Sequence, residues 1–223
     1  MTKEKAVVLL SGGMDSALVA KLAKDSGYQL AALHLNYGQR TEKREQKAFD
    51  DICNYFVIQE KLIVDVSYLE QIGGSSLTDK SIEVTTAKLD VDEIPSSYVP
   101  FRNGNILAIA ASWAEVIGAK HLYIGAMQLD SSGYPDCRRE FFDAYEKAIN
   151  FGTKPDTHIN IATPIIDFSK KDIVDVGTSL GVPFQLTWSC YSNEFIPCGI
   201  CDSCALRQRG FDLAGVIDPL FNI

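Results

Sequence analysis

The stretch Ser11-Gly12-Gly13-Met14-Asp15-Ser16 decides the fold, because it stands between an apolar run, Ala6-Val7-Val8-Leu9-Leu10, and an amphipathic helical pattern, Ala17 to Lys24. The order is strand, tight turn, helix start. Paired glycines free the backbone at such a turn and remove the side chains that would hold a ligand away from the amides. The helix N-terminus that follows carries unpaired N–H groups and a partial positive charge, so the expected guest is phosphate. Ser11 and Ser16 add hydroxyl donors. The stretch lacks the lysine of GxxxxGK(S/T) and does not fit GxGxxG, which makes it a third kind of phosphate turn.

Working outward, Gln29 to Leu35 reads as a buried strand, with Asn36, Tyr37, Gln39 and Arg40 at its end and a charged helix from about Thr41 to Tyr55. In an open α/β sheet ligands bind at the carboxyl ends of the strands, so this polar run faces the same edge as the glycine turn. Arg40 there suits either a phosphate or a solvated helix cap. Val57 to Val66 reads as a third strand, and the irregular region 73–100 as an insertion folding over the site. Arg102 and Asn103 then open a strongly apolar helix, Gly104 to Gly118, which is expected to be largely buried. An arginine at the mouth of such a helix needs a partner, either a ligand carboxylate or phosphate or a structural salt bridge.

His121 to Ala126 reads as the fourth strand, and its polar sequel contains Asp130, Tyr134, Asp136 and Arg138. These can bind an amidine edge, a ring face and a carboxylate, or can form a plain surface turn before a helix over 138–151. Ile161 to Ile166 is the fifth expected strand, and Ser169-Lys170-Lys171-Asp172 starts a helix with a capping-box variant, in which the lysines read as a charged first turn. The sum is an α/β chain: an open, doubly wound, mainly parallel sheet over 1–185, followed by a small C-terminal segment over 186–223.

That segment holds Cys190, Cys198, Cys201 and Cys204 in the pattern C-x7-C-x2-C-x2-C. Four thiolates make a closed, structural zinc site, with an iron-sulfur cluster or paired disulfides as the alternatives. The net charge of −8 over 223 residues argues against broad attraction to nucleic acid and favours a small-molecule substrate. No apolar run nears the roughly 18 residues of a membrane span, and no export signal is read, so a reducing cytoplasm is expected.

SGGxDS is the signature of the pyrophosphatase-loop ATPases, which cut ATP between the α- and β-phosphates. Taken in order, SGGMDS, NYGQR, VPFRN, DSSGYPDCR and CYSNEFIPCGICDSCALRQRGF resemble the 7-cyano-7-deazaguanine synthases along nearly the whole chain. The resemblance implies ATP-dependent adenylation of 7-carboxy-7-deazaguanine, displacement of AMP by ammonia to give the amide, and a second activation that yields the nitrile, preQ0. It implies ATP and Mg2+ held by Leu10, Ser11, Gly12, Gly13, Met14, Asp15, Ser16 and Arg40, and Zn2+ held by the four cysteines. Catalysis falls to Asp15, Ser16 and Arg102, and substrate contacts to Arg102, Asn103, Asp130, Tyr134, Asp136 and Arg138. A homodimer is implied as well. Typical members have a small residue where Phe101 stands and Cys-Glu-Thr where Met127-Gln128-Leu129 stand. Those departures leave a relative that stops at the amide, or joins the deazapurine to an amine on protein or nucleic acid, as the alternative.

Overall fold

The structure is a computed structural model that describes residues 3–87, 93–128 and 133–221. Five strands form one parallel sheet, β1 (Lys5–Leu9), β2 (Gln29–Asn36), β3 (Glu60–Asp65), β4 (His121–Ile124) and β5 (Asn160–Ala162), in the order β3-β2-β1-β4-β5. Each of the four strand pairings is parallel, with Leu9 opposite Leu33 on one side and Ile124 on the other. Strands in the middle of such a sheet are covered on both faces, and β1 is accordingly apolar along its length. Ala6 and Val8 face one core, Val7 and Leu9 the other.

The first core packs α1 (Met14–Asp25), α2 (Glu42–Phe56), α6 (Lys170–Ser179) and α7 (Asp202–Ala214) through Leu18, Phe49, Ile52, Ile173 and Phe211. The second packs α4 (Arg102–Ile117) and α5 (Arg139–Gly152) through Leu107, Ala110, Phe142 and Ile149. A short α3 (Tyr68–Ile72) follows β3. Burial of each large apolar side chain contributes about 1.5–3 kcal/mol before entropy is counted.

Three sequence expectations are corrected. The third strand begins at Glu60, because α2 runs to Phe56 and ends with Val57 in a left-handed conformation, φ 59°. The fifth strand stops at Ala162; Pro164 has no N–H for a ladder, and Ile165 and Ile166 are buried in the turn beyond it. Helix α4 buries one stripe (Leu107, Ala110, Ala111, Ala114), while Ile106, Ile109, Trp113 and Ile117 are only partly covered and Val116 is 81% exposed.

The chain's C-terminal part is fastened by an ion pair. Arg207 of α7 donates from Nε and Nη2 to both oxygens of Asp218, at 2.6 and 2.8 Å, and from Nη1 to the Thr187 hydroxyl at 2.7 Å. Both charged side chains are essentially inaccessible to solvent. Removing one partner of such a pair strands the other charge, so Arg207→Ala is expected to lower unfolding stability by about 3–5 kcal/mol, read from urea denaturation.

Candidate active site

The order β3-β2-β1-β4-β5 reverses direction between β1 and β4, and a chamber opens at the carboxyl ends of these strands, where α/β sheets bind ligands. Residues 11–13 leave β1 and turn into α1. Gly12 has φ +91°, and a Cβ there would stand 2.8 Å from the Glu45 carbonyl oxygen, so only glycine fits. Gly125, just past β4, presses on the first turn of α1: its Cβ would lie 3.0 Å from the Ser16 nitrogen. Gly13 is the N-cap of α1 and offers no side-chain cap, which leaves the first amides of the helix to a ligand. The serine hydroxyls brace the turn: Ser11 Oγ and Ser16 Oγ are 3.1 Å apart, Gly13 N–H donates to Ser11 Oγ, and Ser16 Oγ–H donates to the Gly13 carbonyl.

Asp15 projects from this turn and is met by Lys170, whose Nζ donates to both carboxylate oxygens at 2.7 and 2.8 Å. Lys170 is the first residue of α6, whose N-terminus is closed by a reciprocal capping box between Ser169 and Asp172. Its backbone carbonyl is pressed by α7, since a Cβ at Gly210 would come within 2.8 Å of it. The lysine is 8% exposed and lines the chamber, so it is a candidate site residue that the sequence disguised as part of a charged first turn.

Across the chamber, Arg102 donates from Nη1 to the Tyr37 hydroxyl at 3.0 Å and lies 5.2 Å from that ring's centroid. Among the described residues it forms no ion pair. Burial pushes the Tyr37 and Tyr191 phenols up, so both remain neutral O–H groups beside the guanidinium. Tyr134 also lines the chamber and donates its hydroxyl to Ser97 Oγ at 3.0 Å. Cys137 lines it as a thiol that burial pushes up to about 11.

Of the remaining expected contacts, only Asn103 lines the chamber among the described residues, and its amide donates to the Asp136 carbonyl and to Cys137 Sγ. Asp136 is 3% exposed, and its carboxylate accepts the Asn103 backbone N–H at 2.9 Å. It caps α4 from outside, because the N-cap position is held by Phe101, a residue with no side-chain acceptor. Arg138 is exposed at the start of α5, and Asp130 lies outside the described residues. Arg40 does not line the chamber: its guanidinium donates to the carbonyls of Ser76, Asp79 and Ile82 and so pins the insertion. Among the described residues none of the insertion lines the chamber. Phe101 also points away, stacking over Gly104 and edge-on against Phe141. Gln128 accepts the Arg139 N–H at 3.2 Å outside the chamber, so among the described residues that depart from the typical pattern only Met127 lines it, and Leu129 lies outside the described residues.

The four cysteine sulfurs lie within 4.8 Å of one another. Cys190 Sγ accepts backbone N–H groups from Ser192, Asn193 and Cys198, and Cys198 Sγ accepts one from Cys201. Such amides stabilise thiolates, and an all-sulfur cluster fits a soft or borderline metal ion.

The family described as "Queuosine biosynthesis protein QueC" matches residues 5–215. The chain belongs to the QueC family. It is 58% identical over 216 residues to the 7-cyano-7-deazaguanine synthase of Chloroherpeton thalassium, covering 97% of this chain and 96% of that one. A 4-thiouridine synthetase, in a structure of its RNA complex with bound ATP, is 19% identical with a TM-score of 0.56, over 95% of this chain and 50% of the other. The U34-tRNA thiolase NcsA from Methanococcus maripaludis, a structure with its 4Fe-4S cluster, is 17% identical with a TM-score of 0.51, over 96% and 66%. These two likenesses show the fold alone.

Asp136 as a helix cap is checked by Asp136→Ala, which is expected to lower stability by about 1–2 kcal/mol in urea denaturation. Unchanged stability with weakened substrate affinity would instead return Asp136 to the substrate.

Proposed function

We propose that this chain converts 7-carboxy-7-deazaguanine, ATP and ammonia to 7-cyano-7-deazaguanine through an adenylated carboxylate and an amide. The observation that carries it is Arg102, a guanidinium without an ion-pair partner among the described residues, in the same chamber as the phosphate turn. A carboxylate gripped by Arg102 would lie in the same enclosed space as phosphates seated on residues 11–16.

In the first step a carboxylate oxygen attacks the α-phosphorus, and the bond to the bridging oxygen breaks with its electron pair leaving on pyrophosphate. The amides at the start of α1 and the Ser16 hydroxyl stabilise the charge that grows on that leaving group. Lys170 adds a fixed positive charge near Asp15. A divalent magnesium ion would neutralise further phosphate charge, and Asp15 is the carboxylate of the turn that suits it. Nitrogen then displaces AMP, and a second adenylation, now of the amide oxygen, allows loss of the elements of water as AMP departs.

Zinc is the metal proposed for the four cysteines, in a closed structural role, with a reducing cytoplasm as the proposed compartment; none of the six cysteines is joined in a disulfide. Among the described residues no helix is long and apolar enough to cross a membrane. A homodimer would cover the outer apolar face of α4.

Mass spectrometry of a reaction containing the 7-carboxy compound, ATP, magnesium and ammonium is expected to show the nitrile. Ser16→Ala is expected to slow its appearance by about 10²-fold or more, as loss of one charge-stabilising donor does. Wild-type protein that makes neither amide nor nitrile would overturn the reading, and a mass increase on a co-expressed protein or RNA would point to conjugation instead.

A further inference from the structure

The chamber contains a second carboxylate besides Asp15 that no step above employs. Glu45 stands in the first turn of α2 and lines the chamber with Tyr37 and Arg102. Its side chain is held from two sides: the Thr41 hydroxyl donates to Oε1 at 2.7 Å, and the Gln39 amide donates to Oε2 at 3.3 Å. Thr41 also lies 3.2 Å from the Cys190 carbonyl, and Gln39 accepts the Tyr37 N–H, so both holders are themselves fixed. Each oxygen receives one donor from these residues and can accept another.

Two landmarks orient this group. Phosphates belong at residues 11–16, and the substrate carboxyl belongs at Arg102, whose charge acts on Glu45. Glu45 therefore lies near the reacting end of the substrate. Its backbone adjoins the other landmark, because the Glu45 carbonyl is the atom that forbids a side chain at Gly12. The acyl-phosphate bond to be broken would lie between these landmarks.

Resting on the function proposed above, we infer that Glu45 is the base of the nitrogen step, holding ammonium beside the activated carboxyl and taking a proton from it. The N–H electron pair returns to nitrogen, and the proton passes to a Glu45 oxygen. Nitrogen then bonds to the acyl carbon, and the C–O bond to AMP breaks with its pair leaving on the phosphate oxygen. The second proton, lost as the adduct becomes the amide, leaves with the departing AMP or to solvent. Burial pushes the Glu45 carboxyl up to about 7, against the lowering effect of the Thr41 bond, Arg102 and the Gln39 bond, while Glu42 on its own helix raises it. The phenol of Tyr37 is neutral, and Asp15 and Lys170 at the phosphate turn are paired with each other. A base of that strength suits proton transfer near neutral pH.

The test uses the purified full-length chain and Glu45→Gln, with three readouts: pyrophosphate exchange dependent on the 7-carboxy compound, amide formation from ammonium, and hydroxamate formation from hydroxylamine. Hydroxylamine is neutral and nucleophilic at neutral pH and needs no base to free its lone pair. Exchange is expected within about twofold of wild type, amide formation from ammonium about 10²-fold slower, and hydroxamate formation close to wild type. In the wild type, amide formation rises with pH through about 7 as Glu45 loses its proton, and the variant lacks that inflection. Glu45→Asp, which keeps a carboxylate, is expected to recover part of the ammonium rate.

Parallel loss of exchange and amide formation would overturn the inference. A raised KM for the 7-carboxy compound would also do so, by assigning Glu45 to the heterocycle. Wild-type protein that exchanges no pyrophosphate would instead sink the underlying function, and the inference with it.

Discussion

The site depends on a close approach of backbone to backbone. The carbonyl of Glu45 sits so near Gly12 that the turn after β1 has room for hydrogen alone. Trp188 N–H closes the other side by donating to the Gly12 carbonyl at 2.9 Å, and the Trp188 indole carries Arg44 of α2 over its face at 4.4 Å. Helix α2, the phosphate turn and the segment leading to the cysteines are thereby one packed unit. The cysteine cluster is packed against the same unit, since the Cys190 carbonyl lies 3.2 Å from the Thr41 hydroxyl at the start of α2. A metal held there would act on catalysis through position, by fixing where α2 and residue 188 meet the turn.

Charge in the molecule is distributed according to access. Arg207 and Asp218 are sealed from water and saturated with each other, Thr187 and the Phe184 carbonyl, so this pair fastens structure. Asp15 is 28% exposed at its side chain while paired to Lys170, and among the described residues the Arg102 guanidinium bonds to the Tyr37 phenol without an ion pair. The latter groups keep capacity for a ligand. A buried pair that lost one member would cost several kcal/mol, whereas a half-open pair beside a phosphate site can exchange partners at much lower cost.

Much of this was legible in the chain. Period and composition place the strands, and Gly12-Gly13 between strand and helix marks the proposed anion site, because backbone geometry there has few solutions. The four cysteines announced their own juxtaposition by spacing. What stayed hidden was everything that depended on a distant partner. Lys170 looked like part of a charged first turn because it is in one, and only the fold shows that its side chain reaches Asp15. Glu45 was lost among the charges of an amphipathic helix. Arg40 sat beside the right strand end, yet three carbonyls of the insertion claim it. Asp136 seemed a substrate contact, but α4 begins with Phe101 in a left-handed conformation and takes its cap from another loop. The outer face of α4 read as buried because apolar content does not say which side has a neighbour.

The most direct test of this account is calorimetry of ATP binding to Gly12→Ala, with far-UV circular dichroism confirming that the variant is folded. A methyl group must either move Glu45 and α2 or distort the turn at φ +91°, so ATP affinity is expected to fall at least about tenfold. Unchanged affinity in a folded variant would contradict the claim that the backbone of this turn is the phosphate site.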